Sequence, residues 1–374
     1  MPSNTIDMKK SIFAPGAGHF DIQEKILTSL KQDRLPHAYL FYGPQGSGKE
    51  ALAIKLAQLL NCERDEFQIC NACGQCSKIA AFQHPDVKFV FPTPAESNIT
   101  DKELMEALQE KAQNPYQRID FSGKNLFIGI DTIRELKLEA RFKLYEGKKK
   151  IYIISEADSM RTEAANAILK LLEEPPANLM LILTTSNIYK ILPTIKSRCQ
   201  LMRFRPMAED QIREIMQQYH PNINSDRLRL IIRLSGHNIK SAFDFLDMDV
   251  IAMRETALEF LRKLTLIHRS QELMQIIEPF GRKGSRTEAR LVLWFLLLWF
   301  QDALHLKNNN GNELLNYDLK DRIEKFIDYA PNVDIQKIVW EIESSIKDLD
   351  DVRNFNPVLI LTNLAIKLNQ RIKP

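Results

Sequence analysis

An α/β domain built on a mostly parallel sheet, followed by an all-helical remainder, is the architecture that this 374-residue sequence predicts. Three observations carry that expectation. Short apolar runs alternate with runs of helical period up to about Phe204. A glycine-rich loop, GPQGSGKE at Gly43–Glu50, stands between a strand-like and a helix-like run. Beyond Phe204 the strand-like runs stop.

Taken in order, AYLFY (38–42) is a strand that enters the loop, and ALAIKLAQLL (51–60) leaves it with the three- and four-residue apolar spacing of a helix. VKFVF, NLFIGI, KIYIIS and LMLILTT are each short, apolar and bounded by polar or turn residues, and read as four further strands. Between them DTIRELKLEARFKLYEG and TEAANAILKLLEEPP carry helical spacing. Strands alternating with helices give a parallel sheet covered on both faces. The polar stretch at about Pro92–Lys124 is a surface excursion carrying one helix. EDQIREIMQQY, SDRLRLIIRLSG and IKSAFDFLDM form a small helical unit. From about Val250 onward every run is helical, and those apolar faces must bury against each other or against a partner.

Bulk properties fit a globular chain of two or three domains: 44% hydrophobic, 26% charged, net charge +3. So small a charge excludes a chain that binds nucleic acid by overall charge, so any DNA contact has to come from a local patch. The N-terminal stretch lacks the apolar run of a signal peptide. The greasiest segment, Leu291–Phe300, is shorter than the ~20 residues of a membrane span, so a buried helix and a cytoplasmic location are expected.

Gly43, Gly46 and Gly48 let backbone N–H groups converge on an anion, Lys49 can reach outer phosphates, and the helix that follows adds its positive end. A hydrolysing loop of this kind places Ser or Thr after the lysine to hold Mg²⁺; this chain has Glu50. The second Mg²⁺ position is normally an Asp ending a later strand, followed by a Glu that activates water. In IYIISEADSM those places hold Ser155 and Glu156, with Asp158 expected to point elsewhere. Two losses at linked positions predict no intrinsic ATPase and weak or absent ATP or ADP binding.

Cys62, Cys70, Cys73 and Cys76 have the spacing of a closed tetrahedral site for structural zinc, with tight turns at Asn71–Gly74. Cys199, the fifth cysteine, is a candidate buried free thiol. Arg198 follows a strand and a short connection. A surface salt bridge is the plain reading of a lone arginine, but from this place it can project into a neighbouring subunit's phosphate site. Arg134, Lys137, Arg141, Lys143 and Gly147–Lys150 concentrate positive charge, either as a solvated face or as a non-specific contact to a phosphate backbone.

Together HAYLFYGPQGSGK, the four cysteines, IDTIRELKLEARFKLYEGKKKIYIISEADSM and AANAILKLLEEPPANLMLILTTSNIYKILPTIKSRC resemble the bacterial DNA polymerase III clamp loader, an AAA+ family. The resemblance covers about residues 20–205 in sequence and the remainder in organisation only. Motor (gamma/tau) subunits of that family keep the hydroxyl after the lysine and a DE pair; Glu50 and Ser155 depart from both and resemble the delta-prime branch. The resemblance implies an AAA+ P-loop domain with zinc module over 1–204, a helical lid over 205–249 and a helical collar over 250–374. It also implies a stator that presents Arg198 to a motor subunit. Its partners would be gamma/tau and delta subunits in a hetero-pentamer, a sliding clamp and primed DNA, with no membrane. An active gamma/tau-type ATPase is the alternative, and a repair-type AAA+ ATPase a third. Two features depart from the family: the long excursion, and Lys240 near where an active lid carries arginine.

Overall fold

A computed structural model of the chain describes residues 18–372 apart from 65, 96–98, 120, 122–123, 247–248, 266–269, 283–284, 309–313 and 352–354. It divides into two compact units, one running to Phe243 and the other from Asp244 to Pro374.

The first unit opens with α1 (Phe20–Lys31), β1 (Ala38–Tyr42), α2 (Lys49–Asn61), α3 (Gly74–Ala80), β2 (Val87–Val90), α4 (Asp101–Gln113) and α5 (Ile130–Glu139). It continues through β3 (Lys150–Ile154), α6 (Thr162–Glu173), β4 (Leu179–Thr185), α7 (Pro193–Lys196) and β5 (Gln200–Arg203). Three helices follow, α8 (Glu209–Tyr219), α9 (Ser225–Leu234) and α10 (Ile239–Asp244), the last ending at the division. All five strands are parallel, in the order β2-β3-β4-β1-β5.

The period-2 alternation of strand side chains splits the core into two layers. Tyr39, Phe41, Ile151, Ile153, Met180 and Ile182 pack on one face, together with Ile26, Leu52 and Leu56. Ala38, Leu40, Tyr152, Ile154, Leu181 and Leu183 pack on the other, together with Ile133, Leu136, Ile168 and Leu172. Each fully buried aliphatic side chain contributes about 1.5–3 kcal/mol, which is why these strands read as continuous apolar runs.

One expected strand differs. NLFIGI makes only isolated bridges, Thr93 with Phe127 and Ile128 with Met160, because Gly129 already caps α5. The fifth strand is QLMR, an edge strand in which only Met202 is buried, so it carries no apolar run for periodicity to find.

The second unit contains α11 (Val250–Thr265), α12 (Ser270–Ile277), α13 (Arg286–Lys307), α14 (Lys320–Tyr329), α15 (Ile335–Leu349) and α16 (Pro357–Ile372). Helix α13 packs against α11, α14 and α15 and buries Leu293, Leu296 and Phe300. At 22 residues it is long and apolar enough to cross a bilayer, unlike the ten-residue run expected from its sequence. It is mostly buried, however, and Asp302 within it accepts hydrogen bonds from the amides of Leu315 and Asn316 and from the Asn316 side chain, each at 2.8 Å. Glu341 ties α15 to α16 through Lys367 at 3.0 Å and Arg371 at 2.5 Å.

Candidate nucleotide site and thiolate cluster

Strand β1 stops at Gly43–Pro44, and the loop turns through Gly46 (φ +69°) and Gly48 (φ +76°) into α2, as glycine allows in the left-handed region. A Cβ at Gly46 would lie 1.7 Å from Asn238 Oδ1, and one at Gly48 would lie 2.3 Å from Met207 Cε. The small helical unit therefore touches the loop directly, and Ile239 N donates to Gly46 O at 3.0 Å. On the other side His19 Nε2 lies 2.7 Å from Ser47 O.

Lys49 turns back into its own loop. Its ammonium donates to Gly43 O at 2.9 Å, Pro44 O at 2.7 Å and Ser47 Oγ at 3.3 Å. Burial pulls its pKa down to about 8, against the opposing pull of Glu50, Asp158 and Glu156.

Glu50 and Ser155, the two altered metal positions, are in contact: the Ser155 hydroxyl donates to Glu50 Oε1. Glu50 Oε2 accepts from the ammonium of Lys111, which also donates to Gln117 O at 2.5 Å and lies 5.8 Å over the Phe89 ring. Lys111 has a side chain only 1% exposed, against 20% for Glu50. Burial alone would raise the Glu50 carboxyl, but the Lys111 charge and the hydrogen bonds from Lys111 and Ser155 outweigh it and hold the pKa below its ordinary value. Glu156, in left-handed backbone (φ +47°), accepts a bidentate pair from Arg118 at 2.5 and 2.7 Å. Asp158 accepts from Thr185 Oγ1 at 2.6 Å at the end of β4 and acts electrostatically on Lys49.

Arg198 belongs to a different group. From the end of α7 its guanidinium reaches Glu173 Oε1 at 2.8 Å and Thr194 O at 2.9 Å, with its side chain 35% exposed. The expected lid lysine, Lys240, is half-buried on α10. The basic run is partly spent on structure. Buried Lys150 donates to Glu139 O and Phe142 O, Lys148 donates to Cys62 O, and Arg134 pairs with Asp131. Arg141 and Lys143 remain exposed beside Phe142 and Tyr145.

The sulfurs of Cys62, Cys70, Cys73 and Cys76 all lie within 4.8 Å of one another. Asn71 takes the left-handed turn (φ +52°) that the short spacing needs. A zinc tetrahedron with arms of about 2.3 Å has edges of about 3.8 Å; Cys70 Sγ and Cys76 Sγ are 3.9 Å apart. Amides already point at the sulfurs, Cys73 N to Cys70 Sγ at 3.2 Å and Cys76 N to Cys73 Sγ at 3.4 Å. Burial opposes ionisation of Cys73, but hydrogen bonds from the backbone of Glu63 and Cys76 bring it down to about 6; burial and the adjacent thiols push Cys76 up. Four sulfurs this close would all ionise only around a cation, so the donor set fits a metal with no open position. Cys199 is a buried thiol in the core, pushed up to about 12 by burial.

Sequence reasoning missed Lys111, Arg118, His19 and Asn238. The one available signal was charge complementarity: two cations in the excursion against acidic residues at 50 and 156.

A family model described as DNA polymerase III, delta subunit, matches residues 18–208, and a second, for the C-terminal part of the DNA polymerase III delta subunit, matches 253–370. DNA polymerase III subunit delta' of Bacillus subtilis is 30% identical over 309 residues, covering 81% of this chain and 82% of that one. The delta' subunit of Escherichia coli is 25% identical over 354 residues and covers 94% of both. The gamma/tau subunit of Mycoplasma genitalium is 30% identical over 240 residues, 63% of this chain but 35% of its own length.

Proposed function

The chain belongs to the DNA polymerase III delta-prime subunit family, and from that premise we propose that it serves a cytoplasmic clamp loader as a non-hydrolysing stator. In this reading it assembles with gamma/tau and delta subunits, helps place a sliding clamp on primed DNA, and lends Arg198 to the neighbouring motor. The observation that carries the reading is the contact of Glu50 with Ser155: the side chains at the two positions that hold Mg²⁺ in a hydrolysing subunit bond to each other, and Glu50 bonds to Lys111 as well. Meanwhile Arg198 keeps a planar guanidinium on the surface, held by a partly exposed Glu173 from which a phosphate can draw it. Cys62, Cys70, Cys73 and Cys76 would hold structural zinc, which ties the segment between them to the end of α2 and takes no part in chemistry. Exposed Trp340, Leu359 and Ile366 on the helical unit support its use as an assembly surface.

Two measurements test this. The isolated chain with Mg²⁺-ATP should show no turnover; steady hydrolysis abolished by Lys49→Ala would favour the gamma/tau-type reading instead. In the reconstituted complex, Arg198→Ala should leave assembly intact while the interface it serves loses about 10³-fold in rate. An unchanged ATPase would refute the trans role.

A further inference from the structure

We propose that the segment 101–119, formed by α4 and the turn after it, is a resident occupant of the degenerate phosphate loop. Lys111 supplies there the positive charge that a divalent cation supplies in a hydrolysing site, so that the chain holds this site closed to nucleotide by its own side chains.

Four observations converge on it. Each glutamate at the degenerate site has its own cation from the same segment: Lys111 on Glu50, and Arg118 on Glu156 by a bidentate pair. A metal drawing on Glu50 and Ser155 would have to displace Lys111, leaving an unpaired ammonium at a place 1% exposed, which is strongly unfavourable. Lys49 already donates to two loop carbonyls and Ser47, so it must abandon these to reach a phosphate. The mouth is filled as well. Asn238 stands against Gly46, and Met207 and Tyr116 stand against Gly48, with Tyr116 stacked on Phe243 at 6.0 Å and edge-on to Tyr219 at 6.2 Å. The segment is secured at its start by a reciprocal cap: Glu103 N donates to Thr100 Oγ1 at 3.3 Å and Thr100 N to Glu103 Oε2 at 2.8 Å. The polar excursion thus has a place in the fold, and the acidic residue after Lys49 is half of an internal ion pair.

This inference stands on the isolated chain and does not need Arg198 to act in trans, so the two fail separately. The test is equilibrium binding of a fluorescent N-methylanthraniloyl-ADP with Mg²⁺ to full-length protein. Wild type should bind weakly or not at all. Glu50→Thr/Lys111→Met removes both members of the ion pair and restores the hydroxyl; adding Arg118→Gln frees Glu156. These variants should bind about tenfold or more tightly than wild type. Zinc content and far-ultraviolet circular dichroism report that they are folded. Folded variants that still refuse the nucleotide overturn the proposal, as does a wild type that binds it as tightly as they do. Should the variants not fold, hydrogen exchange on wild type decides: amides of 101–119 should be unchanged by Mg²⁺-ADP, and a change in their protection refutes a closed site.

Discussion

Glu50 decides more about this molecule than its place in a loop motif indicates. It sits where a hydroxyl is expected, and its carboxylate joins three elements: α2, the end of β3 through Ser155, and α4 through Lys111. Removing one partner of so buried a pair costs about 3 kcal/mol or more, because the other charge stays behind. Glu50→Gln should therefore lower stability by about that amount, and Glu50→Gln/Lys111→Met by clearly less, since no unpaired ammonium remains. Denaturant unfolding checks both alongside Lys111→Met; a double variant as damaged as the sum of the two single variants would refute the coupling. The acid limb follows from the same pair. The Glu50 pKa is lowered from 4.5, so its stabilisation is complete above that value and is lost as pH falls through the lowered folded value. Wild type should lose stability below about pH 4.5 more steeply than Glu50→Gln. The sequence revealed that residues 50 and 155 had both changed, because each lies at a fixed offset in a local motif. That Lys111 answers them was not legible, because a pair 61 residues apart has no periodicity to mark it.

At the scale of elements, legibility follows how each segment is buried. Strands β1, β3 and β4 are interior, covered on both faces, and announce themselves as apolar runs. Strand β5 lies at the edge with exposed Gln200, Leu201 and Arg203, while NLFIGI is apolar because Ile128 plugs the core and not because it joins the sheet. The cysteine spacing was readable for the opposite reason, since metal geometry constrains a short stretch of chain. Its reach into the fold was not readable. Asn61, at the end of α2, accepts from the amides of Lys148 and Lys149 at 2.8 and 2.9 Å. Gln75 and Lys78, on α3, hold Glu146. Asp86 collects the amides of Tyr145, Glu146 and Gly147 at 2.9–3.0 Å. The thiolate cluster thus sits behind the 145–149 loop. In zinc-loaded protein, stripping the ion with a chelator and a thiol reagent should speed amide exchange at 145–149 while β3 and β4 stay protected. Unchanged exchange in that loop would show that the cluster does not support it.

The whole molecule is two units, each with its own core, and this has a measurable consequence. Asp302 is fully buried in the helical unit and satisfied by three donors from the 315–316 turn. Asp302→Ala leaves two backbone amides and a side-chain amide without acceptors in the interior, which costs about 3 kcal/mol. No residue of the sheet or of the thiolate cluster takes part in that network, so the loss should appear in the helical unit alone. Thermal unfolding followed at two probes separates the units. In zinc-loaded protein, release of the ion from Cys62, Cys70, Cys73 and Cys76 reports the first, and fluorescence of Trp294, Trp299 and Trp340 reports the second, because all three tryptophans of the chain lie there. The variant should lower the fluorescence midpoint and leave the metal-release midpoint within error of wild type. Equal shifts at both probes would mean that the units unfold as one cooperative body, in which case the helical unit supports the phosphate-loop domain as well as any assembly built upon it.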